Sequence, residues 1–76
     1  MSEKYRPIAC ALYDELELAC LRNYTLRIEL SSRQIIEGQA ITLSIGADKA
    51  EYLHLNAAGA EQLIRLDQLT QWHIVT

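Results

Sequence analysis

From Cys10 to Arg22 the apolar residues recur with a helical period. At about 100° per residue, Leu12, Tyr13, Leu16, Ala19 and Cys20 gather on one side, which would anchor the helix. Asp14, Glu15, Glu17, Leu18 and Arg22 fall on the other. Early acids suit the positive end of a helix and Arg22 its negative end, while Asn23 supplies a stop. The period then drops to two. Leu26, Ile28 and Leu30 alternate with Thr25, Arg27 and Glu29, which predicts a half-buried strand over Tyr24 to Leu30. Ser31 to Arg33 reads as a polar turn. A long second strand follows from Gln34 to Ile45. Its inward parity slips from Ile36 and Ala40 to Ile41, Leu43 and Ile45, so a bulge or bend is expected near Gly38.

Gly46 to Lys49 reads as a second turn, and Glu51 to Asn56 as a third strand with Leu53 and Leu55 inward. Ala57 to Gly59 makes a third turn. Glu61 to Leu66 is a fourth strand with Ile64 and Leu66 inward. Asp67 to Thr70 is a short connection of about one helical turn. Gln71 to Val75 is the last strand, with Trp72 and Ile74 facing one way and His73 and Val75 the other. Residues 1–9 form an extended arm, because Pro7 fixes its own backbone and pushes Arg6 toward extended geometry. A helix followed by five strands with short turns predicts a mainly β domain. The expected form is a small, strongly bent antiparallel barrel in which the long second strand pairs in both halves.

Size limits this picture to one domain spanning all 76 residues. Half of the chain is hydrophobic, enough for one core, and no apolar run approaches the roughly 20 residues of a membrane span. The polar start lacks a signal-peptide apolar region, so an intracellular, cytoplasmic protein is expected. Cys10 and Cys20 would stand roughly 15 Å apart along a helix, too far for a disulfide. Reduced thiols fit the same compartment.

Charge adds direction. Asp14, Glu15 and Glu17 lie in a stretch with no Lys or Arg, and their sum equals the net charge of −3. A compact acidic face attracts a basic partner, including a protein surface built to hold nucleic acid. The same net charge argues against nonspecific binding of phosphates by this chain itself. Tyr5, Tyr13, Tyr24, Tyr52 and Trp72 are available for base stacking, but Tyr13 and Trp72 are needed as core volume. Asp14 and Glu17 lie one helical turn apart on a solvated face, with no burial to tune them for acid–base work. The chain lacks a nucleophile elbow and a phosphate-cradling loop, and Cys10, Cys20, His54 and His73 match no zinc spacing. No enzyme, cofactor or metal is expected. Leu18, set among Asp14, Glu15 and Arg22, reads as an apolar anchor ringed by charge.

The run Cys10-x-x-Tyr13-Asp14-x-Leu16-Glu17-Leu18-Ala19-Cys20 resembles the signature of the Rho-binding antiterminator (Rof) family. Glu51-Tyr52-Leu53 and Ile64-Arg65-Leu66-Asp67 are similar to later family segments, so the resemblance runs from about Tyr5 to Trp72. It implies an N-terminal helix on an Sm-like barrel, and a monomer. It further implies inhibition of the transcription termination factor Rho by binding its primary RNA-binding surface, an OB-fold that grips pyrimidine-rich single strands.

Joined to the residue reading, this makes Asp14, Glu15, Glu17 and Leu18 the expected Rho-binding residues, with Asp48 and Glu51 as further candidates. The carboxylates would meet Lys and Arg side chains that otherwise hold phosphate. The alternative is an Sm-like RNA-binding or RNA-chaperone protein. Sm-like proteins often carry an Arg-Gly pair in their second motif, whereas Arg65 here is followed by Leu66.

Overall fold

The computed structural model describes residues 10–75, and the expected arm over residues 1–9 lies outside them. Helix α1 runs over Cys10–Leu21. Its interior holds no Gly, Pro or β-branched residue, so nothing in it opposes helical geometry. Asn23 ends it as expected, in the left-handed region at φ 52°. The Asn23 amide donates to the Cys20 carbonyl (3.1 Å) and the Tyr24 amide to that of Ala19 (3.0 Å), a Schellman arrangement. The Asn23 side-chain amide adds bonds to the carbonyls of Cys20 (3.1 Å) and Ala40 (3.0 Å), tying the helix end to the sheet.

The dipole expectation is corrected. The first turn holds no acid and the last turn no base, because α1 starts at Cys10 and stops before Arg22. The effect of a helix dipole fades within one turn. Leu12 is a second correction. It is 40% exposed, lying beside Thr70, Gln71 and Trp72 at the β5 edge of the sheet rather than in the core. Leu16 and Ala19 are the buried helix residues, with Tyr13 and Cys20 packed at the margin of the core.

Five strands follow: β1 Thr25–Leu30, β2 Ile35–Ile45, β3 Glu51–Ala57, β4 Ala60–Arg65 and β5 Leu69–Ile74. They form one antiparallel sheet in the order β4-β3-β2-β1-β5. The long β2 serves both halves as expected. Its stretch from Ile35 to Gln39 pairs with β1, and from Gln39 to Ile45 with β3. The bulge, however, sits at Ile41, between the pairs Ala40↔Leu55 and Thr42↔His54. Gly38 has another job. A Cβ there would come within 2.6 Å of the Asn56 carbonyl oxygen, so the glycine lets β3 approach β2.

The displaced bulge explains the remaining misreadings of β2. Ile41, the extra residue, is turned out, and Ile45 is 70% exposed at the strand end. Only Leu43 of that trio packs on the core. β3 and β4 join through Ala58-Gly59, both at positive φ (54° and 79°), a two-residue hairpin turn. A 3₁₀ turn over Leu66–Gln68 precedes β5, slightly earlier than the expected connection. The Ser31 amide donates to the Gln68 carbonyl (2.8 Å) and docks that turn on the sheet.

Leu16, Leu26, Ile28, Leu53, Leu55 and Leu66 are the largest fully buried side chains. Each contributes about 1.5–3 kcal/mol by burial, and Leu16 joins α1 to the strand residues of that core. No helix among the described residues is long and apolar enough to cross a membrane.

Candidate protein-interaction face

Because Leu16 and Ala19, flanked by Tyr13 and Cys20, bind α1 to the sheet, the opposite side of the helix turns to solvent. Asp14, Glu15, Glu17 and Leu18 are all exposed. The structure spreads the acids instead of stacking them on one line. Glu17 lies on one flank with Tyr13, Cys20 and Leu21, in a groove of about 240 Å³ against Ile41, Thr42 and Leu43. Glu15 lies on the other flank, against β5. Asp14 and Leu18 fall between these flanks on the helical wheel. No recorded ion pair among the described residues uses Asp14, Glu15 or Glu17.

Glu51 joins this face from the start of β3. The Tyr13 phenol is raised above its ordinary pKa by burial first, then by the negative charges of Glu51 and Glu17. Both carboxylates lie within electrostatic reach of the same half-buried ring, Glu17 from α1 and Glu51 from β3. Sequence patterning named Glu51 but had no means of placing it beside Glu17.

Asp48 is placed differently. Its Oδ1 accepts the Ala50 amide (3.0 Å) and its Oδ2 accepts the Tyr52 hydroxyl (2.7 Å), closing the β2–β3 turn. The carboxyl is held below its ordinary range by the Tyr52 hydroxyl first and the Ala50 amide second. A depressed folded-state pKa adds stability that is present above the unfolded value of about 4 and is lost as pH falls through the folded value. Acid unfolding should therefore contain a component below about pH 4 that Asp48→Asn lacks. Thermal melts taken stepwise through that range check this. Identical acid profiles would count against the turn bond.

The outward side of the sheet holds a feature the sequence reading missed. Ser44 Oγ lies 2.6 Å from His54 Nε2, and His54 Nδ1 lies 2.5 Å from Glu61 Oε2. Hydroxyl, imidazole and carboxylate are linked in the order used by activated serine nucleophiles. Here the three come from β2, β3 and β4, and Leu63 pairs directly across from His54. The array ties three strands together. Its members sit two or more strand positions apart in register, which alternation alone does not reveal.

Tyr13, Tyr24, Tyr52 and Trp72 are all half-buried, and Tyr5 lies outside the described residues. Arg65 Nε is 3.1 Å from Asp67 Oδ1 in a partly buried pair, so this cation already has a carboxylate. Among the described residues no group of three or more His, Cys, Asp or Glu could hold a metal ion.

Comparison with known proteins sets this face in a family. Residues 7–76 match the model of the family described as "Modulator of Rho-dependent transcription termination (ROF)". The chain is 38% identical over 72 residues to Protein rof of Escherichia coli strain K12, covering 95% of this chain and 84% of that protein. Protein rof of Shigella flexneri matches equally. Among solved structures, YaeO bound to magnesium from Vibrio cholerae O395 superposes with a TM-score of 0.78 at 26% identity, over 84% of this chain and 83% of that one. Hfq, a pleiotropic translational regulator, gives 0.67 at 16% identity over 84% and 98%. A Xanthomonas campestris protein with a variant Sm-like motif gives 0.60 at 20% over 99% and 100%. The last two likenesses concern the fold alone and agree with the expected Sm-like architecture. The family match over residues 7–76 and the identity to Protein rof show that this chain belongs to the Rof family, the modulators of Rho-dependent transcription termination.

Proposed function

We propose that this chain inhibits Rho by occupying the surface that Rho uses to load RNA, acting as a cytoplasmic monomer without chemistry on either partner. The observation that carries the reading is the outward spread of Asp14, Glu15 and Glu17 around Leu18, continued by Glu51 near Tyr13. A site that grips phosphate presents Lys and Arg. Carboxylates held on a short rigid helix offer those cations charge-assisted hydrogen bonds. Each pair shielded from water is worth about 1.5–3 kcal/mol, and each exposed pair well under that. Asp48 would be a weaker contributor, its two oxygens already engaged within the β2–β3 turn.

The test is a Rho capture on immobilised protein, titrated with oligo-cytidine. Release of Rho as the oligonucleotide rises is the expected result. A stable complex holding all three components would overturn shared occupancy. The RNA-chaperone alternative draws on the shared fold, but the acidic helix and half-buried aromatics oppose it. Filter binding of oligo-uridine in low salt discriminates, since tight retention without Rho would favour that alternative.

A further inference from the structure

The acids explain attraction but not the apolar surface beside them. On the β5 side of α1, Leu18 is 48% exposed and Ile74 56% exposed. Between them runs a groove of about 280 Å³, with Glu15 and Ala19 on the helix wall and Trp72, His73 and Ile74 on the strand wall. It continues past Glu15 and Trp72 into a second hollow of about 270 Å³, where Leu12 faces Thr70 and Gln71. Glu15 and Trp72 line both hollows, so the two adjoin along one α1–β5 channel with a carboxylate and a half-buried indole where they meet.

We propose that this α1–β5 channel seats an apolar side chain of Rho, with an adjacent Lys or Arg of Rho meeting Glu15. The inference rests on the Rho-binding reading above and extends the interface from the helix to the last strand. Three features select this occupant. Aromatic and aliphatic lining suits an inserted side chain, as in the fully desolvated centres of protein interfaces. The Glu15 carboxylate repels a nucleic-acid phosphate and invites a cation. Leu18 and Glu15 belong to both the acidic face and the channel wall, so a partner engaged by one already touches the other. A second copy of the chain fits poorly. A symmetric contact there would bring Glu15 and Asp14 toward their own copies in a protein of net charge −3.

The experiment compares Rho affinity for Ile74→Asp, Leu63→Asp and the double variant Asp14→Lys with Glu17→Lys, each checked for an unchanged melting temperature. Leu63 is exposed on β4, at the opposite edge of the sheet. Ile74→Asp should weaken binding by about tenfold or more, as loss of an interface anchor does, while Leu63→Asp leaves it unchanged. Wild-type affinity of Ile74→Asp beside a failed double variant overturns the channel and spares the Rho reading. Wild-type affinity of both overturns that reading itself.

A second measurement needs no side chain deleted. Trp72 is the only tryptophan, so replacing it biosynthetically with 5-hydroxytryptophan gives a probe excited apart from the tryptophans of Rho. Acrylamide quenching of that probe should fall on Rho binding. Unchanged quenching in the saturated complex would overturn the proposal. So would self-association of the wild type in sedimentation that Ile74→Asp removes, because the channel would then belong to a second copy.

Discussion

Replacing Asp14 and Glu17 together with lysine is expected to abolish Rho binding and leave the fold intact. The substitution moves four charge units, taking the net charge from −3 to +1. Two carboxylates paired with desolvated cations would contribute about 3–6 kcal/mol, so affinity should fall by roughly two to four orders of magnitude. Repulsion between the new ammonium groups and a cationic surface adds to that loss. The fold should not notice. Both residues are exposed, neither lies in the first helical turn, and no recorded ion pair among the described residues depends on them. Lysine also has a higher helix propensity than aspartate. Calorimetric titration with Rho measures the first effect and circular dichroism the second. For the wild type, binding should weaken as salt rises, because exposed charges are screened over about 10 Å at 0.1 M ionic strength. Undiminished binding by the folded double variant would sink the proposal.

The largest effect on stability is expected at Gly38. A Cβ at this position meets the Asn56 carbonyl oxygen at 2.6 Å, with the Asn56 carbonyl carbon and Leu55 Cγ at 3.0 Å. Two of those three atoms are backbone, fixed by the pairing of Gln39 with Asn56, and cannot swing aside. Gly38→Ala must therefore push β3 away from β2 or break the ladder, at a cost of about 1–3 kcal/mol, and Gly38→Val still more. In a domain of this size each kcal/mol lowers the melting temperature by about 4–8 °C, so the alanine variant should lose several degrees at least. Gly59→Ala is the comparison. Gly59 has open space around its Cβ position, and the only cost is its φ of +79°. That cost is about 1 kcal/mol. Thermal denaturation should rank Gly38→Val below Gly38→Ala, and both below Gly59→Ala. Equal melting temperatures for Gly38→Ala and the wild type would show that β2 and β3 have room to separate.

Much of this molecule was legible in its residue pattern, where the determining forces are local. The change of period near Asn23 separates helix from strands because side chains repeat every 3.6 residues in one and every 2 in the other. Asn23 tolerates the left-handed conformation that ends a helix, so the stop needs no tertiary information. The outward placement of Asp14, Glu15 and Glu17 follows equally from helix geometry, once Leu16 and Ala19 face the core.

The misplaced details share a different cause. The slip of parity in β2 marks that a bulge exists, but only the cross-strand ladder decides that Ile41 is its extra residue. Leu12 repeats with the core positions of α1, yet the docking of the helix leaves it half-exposed beside the edge strand β5. Ile45 alternates with Leu43 and still emerges at the strand end, past the reach of the core.

What the sequence determined by itself was thus the set of elements, their order and the sign of the exposed helix surface, all consequences of neighbours within a few residues. What only the tertiary structure decided was which distant residues meet. It brought Glu51 within electrostatic reach of Tyr13, strung Ser44, His54 and Glu61 across three strands, and opened the α1–β5 channel around Trp72. Those meetings depend on strand register and helix docking, which arise from packing the whole chain around one core and leave no periodic trace along it.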